Sequence, residues 1–223
     1  EAESSLEVAR LQVFAVTLGN PFFVAEVLAS GDVGGVPPTI VQAVGARIRD
    51  LDGHARTALE RLAVVPSAVE RWLVEAAVPG GLAALAAAEE RGVLTVYPHR
   101  IAFRHELIRR AIADSMPSVR RMLSNQAILT ALLARPGGVD LSRILHHATE
   151  VGDDDVIVRY GPAAAREAVA AGSHREAVAH YRLVLDHRVA FPASEQAELL
   201  AEYSVECYTV GLADLAVQAQ ADA

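Results

Sequence analysis

Residues 93–103 read VLTVYPHRIAF, and they are the one convincing β signal in the sequence. Residues 93–97 and 100–103 are short runs rich in β-branched and aromatic side chains, and Pro98 and His99 form a turn between them. The pattern predicts a small β-hairpin in a chain that is otherwise helical.

Helical patterns precede the hairpin. Apolar residues recur every three or four positions over residues 6–18, which predicts a first helix, and Pro21 begins a second one after the break at Gly19-Asn20. The composition of residues 31–38, GDVGGVPP, is that of a linker. Thr39 is predicted to cap the next helix. The predicted helices then cover residues 39–51, 53–64 and 67–77, and the segment GLAALAAAEERG, which stops at Gly92.

Three helices, a hairpin and a following helix give the element order of a winged-helix domain, which we place at residues 36–116. The remaining sequence, residues 117–223, is helical to its end. A weak internal repeat relates Gly172 and Ala177 to Gly211 and Ala216, with an offset of 39 residues. That offset is close to the period of tetratricopeptide-type helix pairs. The predicted fold class is therefore mostly α, with a winged helix followed by a tetratricopeptide-like array.

Composition excludes several classes of function. All 20 basic residues are arginine, so the lysine of a Walker A phosphate loop is missing. The net charge of −8 argues against broad, non-specific nucleic-acid binding. No apolar run approaches the roughly 18 residues of a membrane span. The first ten residues, EAESSLEVAR, do not have the pattern of a signal peptide, and a single cysteine, Cys207, cannot form an internal disulfide, so we expect a cytoplasmic protein.

Four segments occur in an order that resembles the large ATPase regulators of the LuxR type, within the STAND class of NTPases. They are GNPFFVAEVL (19–28), VPPTIVQAVGARI (36–48), RIAFRHELIRRAI (100–112) and HHATEVGD (146–153). The resemblance implies that residues 1–35 form the helical lid of an ATPase module. It also implies that the P-loop core and a DNA-binding helix-turn-helix lie outside this sequence. We therefore expect no catalysis by this segment.

The same resemblance implies partners and cofactors. The intact regulator would use ATP or ADP with magnesium, and we expect none of them to bind tightly to this segment alone. An inducer or a partner protein would bind the helical array. DNA would be bound only by the module outside this chain, no membrane is involved, and oligomerisation of the intact protein stays open.

Gly19-Asn20-Pro21 resembles the Gly-x-Pro sensor of this class, in which the proline packs on the adenine. Proline is rigid and apolar, and glycine permits a close backbone approach, so the chemistry is suitable. The alternative is an ordinary joint between two helices, with Pro21 at the first helical position. With FFVAEVL following, we favour the sensor.

His105 is the second candidate for nucleotide contact, in the first turn of the helix HELIRRAI. A helix start has free N–H groups and a positive dipole end, and an imidazole can donate a hydrogen bond to phosphate. The segment FRHELIRRA is similar to the Met-His-Asp region of apoptotic and plant-immunity NTPases, whose histidine contacts the β-phosphate of ADP. Only the histidine matches, since Arg104 and Glu106 flank it. A partly exposed histidine that caps its helix is an equal alternative.

Metal sites find little support in the sequence. His146 and His147 are adjacent and point in different directions on a helix, and residues 153–155 (DDD) lack the spacing of a calcium loop. Cys207 lies among helix-forming residues and is predicted to be a core residue.

Two other functions stay open. One is a self-contained helical scaffold that binds other proteins and has no nucleotide role. The other is a DNA-binding winged helix, which ranks last because GLAALAAAEERG carries two glutamates and only one arginine.

Overall fold

The computed structural model describes residue 17, residues 21–30, residues 35–135 and residues 137–223, and there the chain is mostly α-helical with one small antiparallel sheet. This confirms the predicted fold class. The described elements are α1 (Pro21–Ser30), α2 (Pro38–Ile48), α3 (Gly53–Ala63), β1 (Val69–Glu70), α4 (Arg71–Ala77), a 3-10 turn (Gly81–Leu85), α5 (Ala86–Glu90), β2 (Leu94–Val96), β3 (Arg100–Phe103), α6 (Glu106–Ser115), α7 (Ser118–Leu133), α8 (Leu141–Val151), α9 (Asp154–Ala170), α10 (His174–Asp186), a 3-10 turn (Arg188–Ala190), α11 (Ala193–Thr209) and α12 (Ala213–Asp222).

The sheet has three strands in the order β1–β3–β2, where the sequence predicted a two-stranded hairpin. The hairpin pairs β2 with β3 as predicted, and β1 adds the pair Val69↔Ile101 on the other edge of β3. The predicted helix over residues 67–77 was therefore wrong at its start, because α4 begins only at Arg71. From α3 onwards, the order helix, strand, helix, helix, strand, strand is that of a winged helix.

Helix α2 begins differently from the prediction. Its N-cap residue is Pro37 and its first residue is Pro38, whereas Thr39 was predicted to be the cap. The hydroxyl of Thr39 instead donates a hydrogen bond to the carboxylate of Glu26 on α1. A cap is less needed here because the fixed φ of proline favours the first helical turn. The Thr39–Glu26 contact joins α1 to α2.

The segment predicted as one helix, GLAALAAAEERG, is a 3-10 turn followed by the short helix α5. Gly92 ends α5 with a positive φ of 66°, and the N–H of Val93 donates to the carbonyl of Ala88 at 3.0 Å. This is the Schellman arrangement, and it confirms Gly92 as the stop.

Three of the four connections between the helices from α8 onwards are turns of one kind. After α8, α9 and α11, a glycine with positive φ is followed by a residue whose N–H donates to a carbonyl five residues earlier. The glycines are Gly152, Gly172 and Gly211, and the donors are Asp153, Ser173 and Leu212. Glycine is required because L side chains rarely adopt this backbone conformation. Each helix then packs on the next one along the chain, from α8 through α12.

The chain divides into two compact units, one ending at Ala131 and the other comprising Leu132–Ala223. The predicted domain boundaries at residues 35/36 and 116/117 stay predictions. In the described ranges, no single helix has the length and apolar character that a membrane crossing requires. Within those ranges, α4 and residues 81–90 together reach the required length and apolar character, but the two pieces are bent by 94° from one another.

Candidate functional site

His105 stands at the start of α6, where the backbone turns from strand β3 into the helix. It is the N-cap residue, with an extended backbone (φ −141°, ψ 140°), so α6 proper begins one residue later than predicted. Its side chain is partly buried, and it makes no capping hydrogen bond to the first turn of α6. The alternative of a partly exposed histidine that caps its helix is thus right in the exposure and the N-cap position of His105, but the capping hydrogen bond is not formed.

The core fixes the position of this helix start. Four residues of α6 are at most 2% exposed and face the interior of the first unit: Leu107, Ile108, Ala111 and Ile112. Burial of this many aliphatic side chains is worth several kcal/mol, about 1.5–3 kcal/mol for each large one. The start of α6 is therefore held in place by packing that does not involve His105.

The surroundings of His105 are electropositive. Burial lowers the pKa of His105, and the positive charges of Arg104 and Arg47 lower it further. Arg47 belongs to the last turn of α2, which packs against α6. The neutral imidazole is favoured in this environment, and a bound anion would favour the protonated form instead. The positive charges of Arg104 and Arg47 thus both act on His105, which itself lies at the N-terminus of α6.

Arg104 lies beside the turn at Gly92. A Cβ atom at Gly92 would be 3.2 Å from Nη1 of Arg104, so the absence of a side chain there leaves room for the guanidinium. The backbone N–H of Arg104 also donates to the carbonyl of Val93 at 3.0 Å. The turn that ends α5 therefore helps to position a cation next to His105.

The one carboxylate in the first turn of α6 is already engaged. Glu106 receives hydrogen bonds from Nε and Nη2 of Arg109, at 2.9 and 2.5 Å, and Nη1 of Arg109 donates to the carbonyl of Ala63 at 2.5 Å. This pairing ties α6 to the end of α3. It also offsets the charge of Glu106, so an anion at the helix start meets less repulsion.

Of the two predicted nucleotide motifs, the structure describes His105 and only Pro21 of the first. Pro21 is the first residue of α1 and is exposed, whereas Gly19 and Asn20 lie outside the described residues. Helix α1 packs on α2, and α2 packs on α6. Helix α2 therefore connects the elements that carry Pro21 and His105.

The two adjacent histidines on α8 are explained by packing within the protein. His147 is fully buried and its ring meets that of His146 edge-on, with 4.8 Å between centroids. Burial lowers the pKa of His147 to about 3, helped by His146 and Arg143. In the part of the chain that the structure describes, no group of three or more His, Cys, Asp or Glu residues is arranged to hold a metal ion.

The acidic residues 153–155 and Cys207 have structural roles within their own helices. Asp153 is the N-cap of α9 and accepts a hydrogen bond from the N–H of Val156 at 3.1 Å, and Asp154 and Asp155 fill the first turn. Acids are favoured at a helix start by the dipole. Cys207 is fully buried on α11, which confirms that it is a core residue.

Sequence reasoning missed Arg47. It lies in the last turn of α2, 58 positions before His105. Its signal in the sequence is only an arginine in a last helical turn, which is the usual place for a cation that interacts with the helix dipole. Only the packing of α2 against α6 shows its relation to His105.

Comparison with known proteins adds no relative. The sequence matches no protein-family model and no curated protein, and its fold matches no solved structure.

Proposed function

We propose that this chain is the regulatory segment of an ATP-dependent LuxR-type transcriptional regulator. It senses ADP or ATP through the lid and the winged helix, and the helical array transmits the binding of an inducer or partner. The proposal depends most on the start of α6, where His105, Arg104 and Arg47 act on one region. We propose the family from the resemblance of the sequence, and the contact with phosphate from the residues at the start of α6.

The residues at the start of α6 suit the diphosphate of ADP. His105 can donate a hydrogen bond, the first N–H groups of α6 point outwards from the helix end, and two arginines supply positive charge. ADP, when bound, supplies the negative charge that links the winged helix to the ATPase core. The adenine would lie on Pro21, and magnesium and the remaining phosphate contacts would belong to the core outside this chain.

A switch follows if these contacts exist in only one state. The resting state would hold His105 against the β-phosphate, and a partner on the helical array would favour the open state. A ligand shifts such an equilibrium only by its difference in affinity for the two states. We propose that the segment itself is not catalytic, that it works in the cytoplasm, and that DNA is bound only by a module elsewhere in the regulator.

The alternative is a self-contained helical scaffold with no nucleotide role. It predicts that the cations near His105 serve only packing and solubility. A DNA-binding winged helix is less favoured, because the exposed residues of the segment before the hairpin are small or acidic: Ala83, Ala86, Glu89 and Glu90, with Arg91 at its end. Such a surface does not match phosphate.

The test is His105→Ala in the regulator that contains this segment beside its ATPase core. A hydrogen bond to a charged group is worth about 1.5–3 kcal/mol, so ADP should bind roughly ten- to a hundredfold more weakly. Activity should also become partly independent of inducer. Calorimetric titration with ADP measures the affinity, and thermal unfolding should change little because the packed face of α6 is untouched.

His99→Ala is the matched control, because His99 is exposed in the hairpin turn and belongs to the same domain. It should leave ADP affinity unchanged. Unchanged affinity in His105→Ala would remove His105 from the site and favour the scaffold. A fall in affinity with both variants would point to a general effect on the winged helix.

A further inference from the structure

A groove runs between α10 and α12 in the second unit, with α11 as its floor. Its volume is about 390 Å³. The nearly buried side chains of Leu200 and Tyr203 on α11 lie at its base, and Leu185 and Leu215 belong to its two walls. Small-molecule sites usually have volumes of roughly 300–1,000 Å³ and an apolar lining with a few polar groups. The groove therefore has the size of a site for a small organic molecule.

The repeat in this array explains why the groove is present. The hairpins α9–α10 and α11–α12 turn with the same backbone hydrogen bond, so residues that are 39 positions apart are equivalent. Gly161 in α9 corresponds to Leu200 in α11. Side chains of α8 and α10 meet over Gly161, and Oγ of Ser142 on α8 lies 3.0 Å from Nε2 of His180 on α10. The leucine at the equivalent position holds α10 and α12 further apart, which leaves the groove open.

The groove lies on the opposite side of α12 from the face that a further repeat would use. On α10, that face is marked by His174, whose Nδ1 is 2.7 Å from Oε2 of Glu206 on the following helix, α11. The equivalent position on α12 is Ala213. At 3.6 residues per turn, the groove residues Gln218 and Asp222 point away from the side of Ala213. The groove therefore does not depend on whether another helix packs on α12.

The walls of the groove carry charges of both signs. Arg182 on α10 and Arg188 just after it line one wall, and within the described residues neither guanidinium makes a hydrogen bond or an ion pair. Asp186 lies on the same wall. On the α12 wall, Oδ1 of Asp222 accepts a hydrogen bond from Nε2 of Gln218 at 2.9 Å, and its other oxygen can accept another. Two arginines and two aspartates give no net charge, so neither a simple anion nor a simple cation is favoured.

We propose that the groove binds a small zwitterion with an apolar body, of the size of a dipeptide. Its carboxylate binds Arg182 and Arg188 on one wall, and its ammonium group binds Asp222 on the other. Its apolar side chains cover Leu200 and Leu215 between the walls. Both charged ends are required at once, which distinguishes a free dipeptide from a peptide segment inside a protein. This inference uses only the second unit and does not depend on the proposed nucleotide role.

The experiment is titration of the whole chain with the dipeptide Leu-Leu, followed by nuclear magnetic resonance of the isotope-labelled protein. The Kd should be about 0.1–1 mM, the range expected for so small a ligand. N-acetyl-Leu-Leu lacks the ammonium group and Leu-Leu-amide lacks the carboxylate, so each should bind at least about tenfold more weakly. The proposal is overturned if Leu-Leu does not bind below about 10 mM. It is also overturned if either blocked form binds as well as Leu-Leu does.

Two variants test which wall holds which end of the ligand. Arg182→Met should weaken the binding of Leu-Leu by about tenfold or more but leave that of Leu-Leu-amide unchanged, because the amide has no carboxylate to lose. Asp222→Asn should weaken Leu-Leu and leave N-acetyl-Leu-Leu unchanged for the corresponding reason. Both residues are exposed, so the melting temperature of the free protein should not fall.

The matched control is Arg175→Met, because Arg175 is an exposed arginine on α10 that lies two turns before Arg182 and does not line the groove. It should bind Leu-Leu like the unchanged chain. Equal weakening by Arg175→Met and Arg182→Met would indicate a general effect of charge and would overturn the proposed contact. An unchanged Kd for Leu-Leu in both Arg182→Met and Asp222→Asn would overturn it as well.

Discussion

Gly161 lies where side chains of two neighbouring helices approach the backbone of α9. It lies inside α9, and a Cβ atom there would be 2.3 Å from Cγ2 of Val184 on α10 and 3.8 Å from Cδ2 of Leu145 on α8. The first distance is far shorter than a carbon–carbon contact. The absence of a side chain therefore permits the close packing of α9 and α10.

We expect Gly161→Ala to lower the free energy of unfolding by about 1–3 kcal/mol, the usual range for overpacking a core. Urea unfolding followed by circular dichroism measures the change. Gly45→Ala is the control, because Gly45 is also inside a helix but has no atom within 4 Å of its added Cβ. That substitution should stabilise by about 0.5–1 kcal/mol. Equal effects of the two changes would contradict the packing argument.

His147 makes stability depend on pH. Burial lowers its pKa to about 3, whereas an unfolded histidine titrates near its usual 6.5. The unfolded chain therefore binds a proton that the folded chain rejects, and the stabilisation present above pH 6.5 is lost as the pH falls towards 3. Between pH 7 and pH 5 the loss should be about 2 kcal/mol from this residue.

Urea unfolding of the original chain and of His147→Gln at both pH values tests this expectation. The variant should lose less stability on acidification, because glutamine does not titrate in that range. The window stays above pH 5 so that carboxylates contribute little. An equal loss in both proteins would show that another group causes the pH dependence.

The sequence anticipated these residues unevenly. It predicted His105 near the start of a helix, Gly92 as a helix end and Cys207 in the core, because each follows from a local pattern. It did not predict the role of Gly161, since a helical glycine has no local signature of what it approaches. Contacts between distant residues require the packed structure.

Arginine side chains hold the ends of helices in the first unit. Nη1 of Arg61 donates to the carbonyl of Ala77 at the end of α4, at 2.6 Å, and Arg109 donates to Ala63 at the end of α3. The last carbonyls of a helix have no partner within the helix, so these donors satisfy them. Each arginine thereby fastens one helix to the end of another.

Removal of Arg109 should be costly for this reason. Its side chain is 13% exposed, and Arg109→Met would lose both the bond to Ala63 and the pair with Glu106. We expect a loss of about 1.5–3 kcal/mol in the free energy of unfolding. Arg120→Met is the control, since the side chain of Arg120 is 57% exposed and donates to the carboxylate of Glu60 at 3.1 Å. It should cost less than about 1 kcal/mol.

The sequence predicted some secondary-structure elements correctly and missed others. The hairpin of β2 and β3 was clear from its residues, whereas β1 was assigned to a helix because two residues are too few to show a strand period. Val69 joins the sheet through pairing with Ile101, 32 positions later. Strand pairing between residues so far apart has no pattern in the local sequence from which it could be predicted.

For the whole molecule, we expect no ATP hydrolysis by this chain. It has no lysine, and thus no Walker A loop to bind the β and γ phosphates. A steady-state assay of phosphate release on the purified chain measures this. Activity that stays with the protein through successive purification steps would contradict the proposed non-catalytic role.

At the scale of the whole molecule, the elements that have a periodic sequence pattern could be predicted. They are the helices after residue 117 and the repeat of 39 residues. The candidate site was less predictable. His105 came from a resemblance, whereas Arg47 entered only through the packing of α2 on α6. A site assembled from two elements depends on tertiary structure, and a single sequence does not encode that arrangement locally.

The identical turns at Gly172 and Gly211 have a consequence for how such a chain can change its length. Deletion of residues 172–210 would join the end of α9 directly to Gly211, and Leu212 could then donate to the carbonyl that Ser173 uses now. Helix α12 would follow α9 as α10 does at present. A gene encoding this array could therefore lose or duplicate one 39-residue segment and still encode a continuous stack of helices.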